Sequence, residues 1–518
     1  MSAQAPRTTA QGERASFRMA AAVLLTRGRG EEFELYLVQR SPRLSVFPGW
    51  WALPGGGVDA CDGDAFGDSI EPFLRAAARE LFEECGVLPP GLSVLLSPRE
   101  FVRRQLLRRD LARREQDASP SAPAEWSALF ERAREPFAGL DPFCWATTPA
   151  FAAVRHRALY AQLELPAGEQ PSIEPGELVD GRWWKPAELW ESWLRGELWI
   201  VPPLVYLLEQ LADGCGLPEA KRRAAERSLA IDAGRLHVVQ PAPGLRVAPL
   251  VSPTLPPATT TNCAIAGWDP AYVVDPATYD EAERARLLAW IDEERANGLR
   301  VAGVIATHHH RDHVGSIAAL ASHCGVPVLG HVRTLERLPE QPLRSLRLAD
   351  GDRIELGRAP DGSAAWHLVA VHTPGHDAGH LVLRDSRYRW VIAGDLVSTL
   401  STIVIEPPEG HLATYLASLK RVLDEGCGAI LPAHGAIAAD GPKLLAKYLK
   451  HRALREQMLV NALKRMGTAG VDVLLPEVYS DTPKALHPLA RLSLLAGLQK
   501  LAEEGRARET APCVWQAG

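Results

Sequence analysis

The sequence lacks the cysteine spacing of a disulfide framework or of a CxxC metal ribbon. Its eight cysteines are scattered and none forms a CxxC pair, which favours free thiols in a reducing compartment. It also lacks an apolar run of the roughly 20 residues that a membrane span needs. Residues 1–16 are polar and have no apolar core, so we interpret them as a disordered tail rather than a secretory signal, and leave a weak transit peptide open. A cytoplasmic protein without a membrane partner is therefore expected.

A strong charge of either sign is absent as well. The formal net charge of −6 over 518 residues predicts neither a general nucleic-acid coat nor a membrane surface, although local basic patches are left open. The 46% apolar and 23% charged residues are ordinary for a soluble globular protein. At about 150 residues per domain, this length predicts three or four domains.

One segment, Thr307–Gly315, is rich in histidine and aspartate. It follows the apolar run Val301–Ala306, which predicts a buried strand that ends in a loop. Its nitrogen and oxygen donors could hold two divalent ions side by side, and such ions can clamp a scissile bond and generate hydroxide at neutral pH. The donors are His308, His310, Asp312 and His313.

Four other apolar runs end in a histidine or an aspartate. Because sites in layered α/β folds gather at the carboxyl ends of strands, we expect these side chains to meet the segment Thr307–Gly315 in the folded protein. In chain order they are Asp275, the pair His372 and His376, Asp395, and His434.

This ordered set resembles the signature of the metallo-β-lactamase superfamily of hydrolases, which implies an αββα sandwich and a dinuclear metal centre. The resemblance gives three histidines to one metal, one aspartate and two histidines to the other, and a second aspartate to both. The first set is His308, His310 and His376, the second is Asp312, His313 and His434, and the shared ligand is Asp395. It further implies two zinc ions, or another divalent transition metal, with Asp312 orienting the nucleophilic water and Asp275 supporting the loop from below.

Several nearby residues have no ligand role in that pattern. We interpret His309 and Arg311 as solvated or packing side chains, and expect His372 or His380 to support the ligands from behind. Asp395 discriminates between branches of the superfamily. True zinc β-lactamases generally lack this aspartate, whereas hydroxyacylglutathione hydrolases and the nuclease branches have it, so antibiotic hydrolysis ranks low.

A second cluster lies on a predicted helix near the amino end. The span Ser69–Gly86 has an apolar stripe, a capping residue at Asp68 or Ser69, and a terminal glycine. Carboxylates at i, i+3 and i+4 share the neighbouring face, and such a set suits Mg²⁺ or Mn²⁺. The alternative is a solvated acidic face. The three residues are Glu80, Glu83 and Glu84.

The context of this helix resembles the Nudix box. Arg79–Val87 matches the core of the box, and seven residues separate Arg79 from Glu71, as the box requires. Thirteen residues lie between Gly57 and Glu71, so the loop before the helix is longer than in the box. The resemblance implies an α/β/α sandwich that hydrolyses a diphosphate, and the run Leu37–Pro42 is similar to the coenzyme A diphosphatase branch.

The segment Phe101–Glu115 carries six arginines among its leucines. If it is helical, with Leu106, Leu107 and Leu111 as apolar contacts, it could face an anionic substrate. A solvated helix on an insertion is an equal alternative. The arginines are Arg103, Arg104, Arg108, Arg109, Arg113 and Arg114.

After His434 the sequence turns helical. Helices over Lys443–Arg465 and His487–Glu504, followed by a strand-like end over Arg506–Trp515, have the order of a small winged helix. This tail looks like that of one metallo-β-lactamase branch, whose best-known animal member is a mitochondrial single-strand-selective endoribonuclease. The likeness makes single-stranded RNA a candidate partner, and a lid or a dimer contact is the alternative role of the tail.

We predict a two-centre hydrolase of mixed α/β and α+β architecture. Its expected parts are a Nudix hydrolase-like domain at 16–211, a connector at 212–241, a metallo-β-lactamase-fold domain at 242–442 and a winged-helix tail at 443–518. The amino half would use Glu80 and Glu83 to hydrolyse a small-molecule diphosphate, and the carboxyl half would use Asp312 to hydrolyse a phosphodiester, a thioester or an ester. The alternative is a hydroxyacylglutathione hydrolase-like thioesterase with a non-catalytic Nudix binding module, and a homodimer is left open.

Overall fold

In a computed structural model, residues 17–44, 46–116, 124–174 and 176–518 are described. The chain folds as two compact units, Met1–Pro243 and Gly244–Gly518. The tail expected at residues 1–16 lies outside the described residues, as do the side chains of Arg113 and Arg114. Within the described ranges, no helix is both long and apolar enough to cross a membrane.

The first unit is built on one mixed sheet with helices on both faces. The strands of this sheet are β1 (Phe17–Arg27), β2 (Glu34–Arg40), β3 (Trp51–Ala52), β4 (Gly55–Gly57), β5 (Asp141–Thr147), β6 (Arg155–Glu164) and β7 (Leu178–Trp184), and a further strand of the unit, β8 (Val239–Ala242), is not part of it. Its α-helices are α1 (Glu71–Cys85), α2 (Pro90–Ser93), α3 (Phe101–Gln116), α4 (Ala124–Arg132), α5 (Pro186–Leu194), α6 (Pro202–Ala212) and α7 (Leu217–Asp232), and Gly30–Glu32 forms a 3-10 turn.

The sheet of this unit runs in the order β3-β2-β1-β6-β5, with β4 paired to β1 and β7 paired to β2. Its central strands β1 and β6 are parallel, beginning with Phe17 opposite Arg155. Side chains alternate along β1, so Val23 and Leu25 pack against α1 while Leu24 packs among residues of α5 and α6. Both faces of the sheet are covered, and the predicted α/β/α sandwich is confirmed.

Helix α1, which carries the three glutamates, is held in place by its buried apolar side. Its predicted apolar stripe, from Leu74 to Cys85, is buried, and Gly86 ends the helix with φ at 70°, a conformation that favours glycine. The N-cap position is Ile70 rather than the predicted Asp68 or Ser69, but the Ser69 hydroxyl does accept a hydrogen bond of 3.1 Å from the N–H of Glu71, the first residue of the helix. A proline in the first turn fixes this start, since its missing N–H is not needed there.

Helix α3 supports the end of α1 with a buried cation. Arg108 is 3% exposed, and its Nη2 donates to the carbonyl oxygens of Glu83 and Glu84, both at 3.1 Å, and of Ser172 at 3.0 Å. The last carbonyls of a helix have no partner within the helix, and the helix dipole favours positive charge beside them. Arg108 therefore holds the turn that carries two of the glutamates.

Neither alternative for the basic helix describes its two buried arginines. Arg104, like Arg108, is buried, and it donates to Gly86 O and to the carboxylate of Glu169. Leu107 and Leu111 are buried as predicted, but Leu106 is 55% exposed. The buried face of the helix therefore includes Arg104 and Arg108 in addition to Leu107 and Leu111, because the guanidinium groups donate to carbonyl acceptors at the end of α1.

We expect Arg108→Met to lower the free energy of unfolding of the first unit by at least about 2 kcal/mol, because buried carbonyls lose their donor. At about 2–4 °C per kcal/mol, the first unit's calorimetric transition should fall by at least about 4 °C. The matched control is Arg109→Met, which removes an exposed arginine from the same helix and should shift stability by no more than about 0.5 kcal/mol. Equal effects of the two substitutions would contradict the capping role.

The second unit contains two packed sheets and a helical tail. Its strands are β9 (Leu245–Val251), β10 (Thr260–Gly267), β11 (Ala271–Val274), β12 (Val301–Ile305), β13 (Val328–Gly330), β14 (Ser345–Arg347), β15 (Arg353–Gly357), β16 (Trp366–His372), β17 (Leu381–Asp385), β18 (Val391–Ile392), β19 (Ile430–Leu431), β20 (Thr468–Gly470), β21 (Ala507–Ala511) and β22 (Val514–Ala517). Its α-helices are α8 (Glu281–Ala296), α9 (Arg311–Val314), α10 (Ile317–Cys324), α11 (Val332–Leu335), α12 (Leu412–Glu425), α13 (Gly441–Met466), α14 (Val471–Val478) and α15 (His487–Glu503), with 3-10 turns at Gly394–Leu396 and Lys484–Leu486.

The two sheets run in the orders β14-β13-β12-β11-β10-β9 and β15-β16-β17-β18-β19. Strands β11 to β14 are parallel neighbours, as are β18 and β19. Tyr415 and Leu419 of α12 pack with Val371 and Val382 of the second sheet, while Leu320 of α10 is buried in contact with the first. Helices thus cover the sheets from outside, and the predicted αββα sandwich is confirmed.

The tail has its own hydrophobic core. Residues of α13, α14 and α15 meet the small sheet β20-β22-β21 around Leu463, Leu474, Leu498 and Trp515. This arrangement of helices and a terminal hairpin is the winged helix that the sequence predicts. Helix α13 also contributes Leu445 and Tyr448 to the core of the sandwich, so one helix belongs to both cores.

Candidate functional site

Strand ends of both sheets in the second unit bring the predicted ligands to one place. The loop after β12 holds His308 and His310, while β16, β18 and β19 precede His376, Asp395 and His434. The seven predicted residues form three overlapping groups, and in each group the donor atoms lie within 4.8 Å of one another. The groups are His308, His310 and His376; Asp312, His313 and His434; and His308, His313 and Asp395.

The first group consists of three imidazoles at close range. Nδ1 of His310 lies 3.0 Å from Nε2 of His308 and 3.0 Å from Nε2 of His376. Nδ1 of His376 donates to the carbonyl of Val404 at 2.9 Å, which leaves its Nε2 for the site. Burial and then the neighbouring histidines lower the pKa of His308 and bring that of His310 to about 4. These rings are therefore neutral and have lone pairs to offer.

Asp395 stands between the two halves of the site. Its Oδ1 lies 3.3 Å from Nε2 of His434 and 3.6 Å from Nε2 of His313, and its Oδ2 lies 3.5 Å from Nε2 of His376. Asp312 joins the second half, with Oδ2 at 3.4 Å from Nε2 of His434. The two carboxylate oxygens of Asp395 thus face different sets of donors, which is the arrangement of a shared ligand.

Two buried polar atoms of this site have no hydrogen-bond partner among the described residues. They are Nε2 of His313 and Oδ1 of Asp395, which lie 3.6 Å apart. Burial opposes the charged form of His313, but the charges of Asp395, Asp275 and Asp312 outweigh it and raise its pKa. Leaving such atoms unpaired in the interior is costly, and a divalent cation would satisfy both. The donor set therefore fits one or two divalent metal ions.

Asp275 supports the histidine loop from beneath, as expected. It has φ at 50°, an unusual value for a residue other than glycine. Its Oδ2 lies 2.9 Å from Nδ1 of His313 and accepts a hydrogen bond of 2.7 Å from Oγ1 of Thr307, while its Oδ1 accepts from the Thr307 N–H at 2.8 Å. These bonds fix the His313 ring with Nε2 toward the site.

Of the two flanking histidines, His380 is the one that touches the site. Its Nε2 accepts a hydrogen bond of 3.0 Å from the backbone N–H of Asp395, and its Nδ1 lies 2.8 Å from Oγ1 of Thr373. Burial and then the charge of His376 bring the pKa of His380 to about 3, so it remains a neutral acceptor. His372 instead stacks on His331 and bonds to a backbone carbonyl.

The sequence interpretation missed other residues that shape this site. Asn262 donates from Nδ2 to Pro432 O at 2.9 Å and to Gly435 O at 2.8 Å, and so fixes the turn that carries His434. Its position in β10, 172 residues from that turn, gives no signal in the sequence.

Arg311 is exposed, as the predicted solvated or packing role allows, whereas His309 is half-buried and belongs with His310, Asp377 and Glu409 to a further group whose donor atoms lie within 4.8 Å of one another. Nδ1 of His309 lies 2.7 Å from Oδ2 of the buried Asp377, and Arg311 lies over the ring of Tyr279. Asp377 was not predicted, and its position directly after His376 is the signal that could have found it.

The glutamate cluster of the first unit is organised by Arg79. Nη1 of Arg79 donates to Oε1 of Glu80 and to Oε2 of Glu83, both at 2.8 Å. Nη2 donates to Gly57 O and to Oδ2 of Asp62, also at 2.8 Å. Asp62 is a buried residue of the thirteen-residue loop, so the lengthened loop supplies the counter-charge that holds Arg79.

Glu84 is a half-buried residue beside Gly55 and Glu80. Its Oε2 accepts a hydrogen bond of 2.8 Å from Gly55 N, and Gly56 packs so closely on Glu80 that a Cβ there would lie 2.6 Å from the carboxylate. Burial and then Glu80 raise the pKa of Glu84. In the described ranges, the three carboxylates do not form one group whose oxygens all lie within 4.8 Å. Like charges are nevertheless held close, an arrangement that a hard cation would stabilise.

Family models match three segments of the chain. A NUDIX domain matches residues 16–202, the metallo-beta-lactamase superfamily matches 258–434, and a beta-lactamase associated winged helix domain matches 471–515. The chain carries all three domains. It is therefore a hydrolase that joins a NUDIX domain to a metallo-beta-lactamase domain with a winged-helix tail, and both hydrolase domains imply divalent metal ions.

Curated relatives match the metallo-beta-lactamase part of the chain. A lactamase-like protein of Penicillium aethiopicum is 29% identical over 218 residues, which cover 40% of this chain and 66% of the relative. An atrochrysone carboxyl ACP thioesterase of Aspergillus chevalieri is 29% identical over 237 residues, covering 42% of this chain and 71% of the relative. A solved beta-lactamase domain protein from Burkholderia ambifaria is 21% identical, with a TM-score of 0.48, over 54% of this chain and 93% of that protein.

A cavity of about 170 Å³ opens at the candidate metal ligands. Asp312, His376, Asp395 and His434 line it, and so do residues of the winged-helix tail. The tail and its leading helix α13 contribute a set of mixed polarity. This set is His451, Arg452, Arg455, Tyr479, Thr482, Leu486, Leu489, Ala490 and Ser493.

Proposed function

We propose that the metallo-beta-lactamase domain is a dinuclear metal hydrolase whose substrate is a small-molecule thioester or ester. His308, His310 and His376 would hold one metal ion, and Asp312, His313 and His434 the other, with Asp395 shared. The observation that carries this proposal is the pair of buried unpartnered atoms, Nε2 of His313 and Oδ1 of Asp395, that point into the donor set. Zinc suits these ligands, and other divalent transition metals suit them as well.

When bound, metal ions of this kind supply Lewis acidity and lower the pKa of water to about 7. The chain's own residues add orientation and proton transfer. Burial opposes the charged form of Asp312, but His313 and His434 outweigh it and lower its pKa. Asp312 is therefore ionised at neutral pH, and it can orient a water molecule and accept its proton through the oxygen that faces the cavity.

Two observations support the small-molecule substrate. The relative from Aspergillus chevalieri carries the name of an acyl carrier thioesterase. The cavity of about 170 Å³ at the ligands is smaller than the roughly 300–1,000 Å³ of pockets that hold drug-sized ligands, which suits a short reacting group. The second candidate is a phosphodiester in single-stranded RNA, and the observation that favours it is the winged-helix wall of the cavity.

We propose that the NUDIX domain hydrolyses a small-molecule diphosphate with Mg²⁺ or Mn²⁺. Glu80, Glu83 and Glu84 would hold the metal, with Glu80 and Glu83 as the catalytic residues. The influence of Glu80 on the half-buried Glu84, whose pKa it raises, supports this, because a cation stabilises carboxylates that otherwise repel each other. The alternative remains a non-catalytic binding module.

Other expectations from the sequence stay proposals. They are the domain limits at 211, 241 and 442, the cytoplasmic location and the homodimer.

The function is tested by turnover of the full chain loaded with zinc and Mg²⁺. The substrates are a hexanoyl thioester of N-acetylcysteamine, a fluorescent single-stranded RNA and coenzyme A as the diphosphate. We expect thioester hydrolysis and diphosphate hydrolysis, with the first lost in His310→Ala. RNA cleavage lost in that variant, without thioester hydrolysis, would assign the domain to phosphodiesters and refute the proposal.

We expect Asp275→Asn to weaken zinc binding about 10–100-fold, the usual effect of removing a partner that orients a metal-binding histidine. The amide keeps the size of the carboxylate but loses the charge beside His313. Competition with a chromophoric chelator measures the zinc affinity. The control is Asp269→Asn, which changes an exposed aspartate just before β11, the strand that Asp275 follows. An unchanged affinity in Asp275→Asn would show that this carboxylate has no part in metal binding.

A further inference from the structure

Arg452 is a buried cation on the cavity wall of the second unit. Its side chain lines the cavity, and the residue is 7% exposed. Nη2 donates to the carbonyl of Ile403, and the guanidinium lies 5.3 Å from the ring centroid of Tyr415. In the described part of the chain, Nε has no hydrogen-bond partner and no carboxylate pairs with the guanidinium. A buried charge without a counter-ion is costly, so such charges are ordinarily paired.

His451 adds a second unpaired donor to the same wall. Its Nε2 accepts a hydrogen bond of 3.3 Å from Nε of Arg455. Burial and then Arg452 lower the pKa of His451, so the ring is neutral and carries its proton on Nδ1. That atom is buried and has no partner among the described residues. Arg455 itself is paired, with Nη2 at 2.7 Å from Oδ1 of Asp481.

The rest of the cavity offers these donors no acceptor of opposite charge. The only carboxylates among its described lining residues are Asp312 and Asp395, which belong to the proposed metal ligands. Apart from the histidines and arginines, the remaining lining is hydroxyl or apolar, for example Leu489 and Ala490 of α15. A ligand that reaches from the metal ligands to α13 would therefore bring the missing negative charge.

We propose that Arg452 and Nδ1–H of His451 bind an anionic group of the substrate, a carboxylate or a phosphate, while its reacting carbonyl lies at the metal ligands. The proposal rests on the proposed thioester or ester hydrolysis and narrows its substrate class. Arg452 and His451 are then specificity residues on the winged-helix side of the cavity, and the tail contributes to substrate choice through α13 and α15.

Thioesters that share a six-carbon acyl chain test this recognition and locate the anion. The neutral reference is hexanoyl-N-acetylcysteamine. Its adipyl counterpart places a carboxylate on the acyl side, while hexanoyl-glutathione and hexanoyl-4′-phosphopantetheine place carboxylates or a phosphate on the thiol side. We expect the full metal-loaded chain to prefer one of the three anionic substrates by about tenfold or more in kcat/KM, the usual effect of a charge-assisted hydrogen bond.

Variants of the two donors separate recognition from structure. Arg452→Met should remove the preference, mostly through KM, so that kcat/KM falls more for the preferred anionic thioester than for the neutral one, while Arg452→Lys should retain part of the preference. His451→Leu removes the Nδ1 donor without touching the contact to Ile403. If Arg452→Met fails to fold, a loss of preference of at least about threefold in His451→Leu carries the test.

Several results would overturn the proposal. One is equal turnover of neutral and anionic thioesters by the wild type, and another is an equal fall for both in Arg452→Met, which would show a structural role alone. If the wild type cleaves no thioester, the proposed function fails, and calorimetric titration of adipate and 4′-phosphopantetheine still tests the anion site. Binding weakened about tenfold in Arg452→Met would support the site, and unchanged binding would refute it.

Discussion

Replacing His310 by alanine is expected to reduce turnover by the metallo-beta-lactamase domain by at least about 10³-fold. Its Nδ1 lies 3.0 Å from the nearest nitrogens of both His308 and His376, so its loss opens the centre of one donor set. A bound metal ion stabilises the transition state of hydrolysis by several kcal/mol, and about 1.4 kcal/mol corresponds to a tenfold change in rate. Zinc per chain should fall by one equivalent in elemental analysis.

The same variant tests whether the two domains act independently. His367→Ala, which removes a half-buried histidine of β16 whose Nδ1 bonds to the carbonyl of Ala365, is the matched control and should keep full activity and metal content. Diphosphate turnover by the NUDIX domain should be unchanged in both variants. A His310→Ala protein that retains its metal and its rate would refute the ligand assignment.

Glu83→Gln is expected to reduce diphosphate turnover by at least about 10²-fold. The substitution keeps the size of the side chain and removes the charge that now meets Nη1 of Arg79 at 2.8 Å. Mg²⁺ prefers carboxylate oxygens, so the amide should weaken metal binding and raise the Mg²⁺ concentration needed for half-maximal rate. Release of phosphate-containing products from coenzyme A measures the loss.

Glu71 offers a matched control on the same helix. Its carboxylate is half-exposed and bonds only to Arg75, one turn further along. Glu71→Gln should therefore change the rate by less than about twofold, in line with the small energies of exposed ion pairs. Thioester turnover by the other domain should remain unchanged in both variants. Full diphosphate turnover by Glu83→Gln would favour the non-catalytic binding module.

The side chains that we propose as metal ligands could be predicted to meet at one site because their signal in the sequence is local. Each follows an apolar strand, and the carboxyl ends of such strands meet in layered folds. His308, His376, Asp395 and His434 satisfy this rule, and the structure places them within one site. The same rule marks Asp275, which bonds to His313 as expected.

Residues that act through distant partners could not be found in this way. Asn262 reaches the turn of His434 across the sandwich, and Asp62 meets Arg79 only because the inserted loop folds back. Arg108 looked like a solvated or substrate-facing residue, since a helical pattern of arginines does not reveal buried carbonyl acceptors elsewhere. The sequence pattern indicates which residues share one face of a helix or strand, whereas these contacts depend on how the elements pack in the tertiary structure.

Helix α13 has a consequence for how this protein can diverge. Its 26 residues, about 39 Å of helix at 1.5 Å per residue, begin in the core of the sandwich and end in the core of the tail. The same helix carries His451 and Arg452 on the wall of the cavity. Substitutions in the core of the tail can therefore shift this wall without altering the strand ends that hold the candidate ligands.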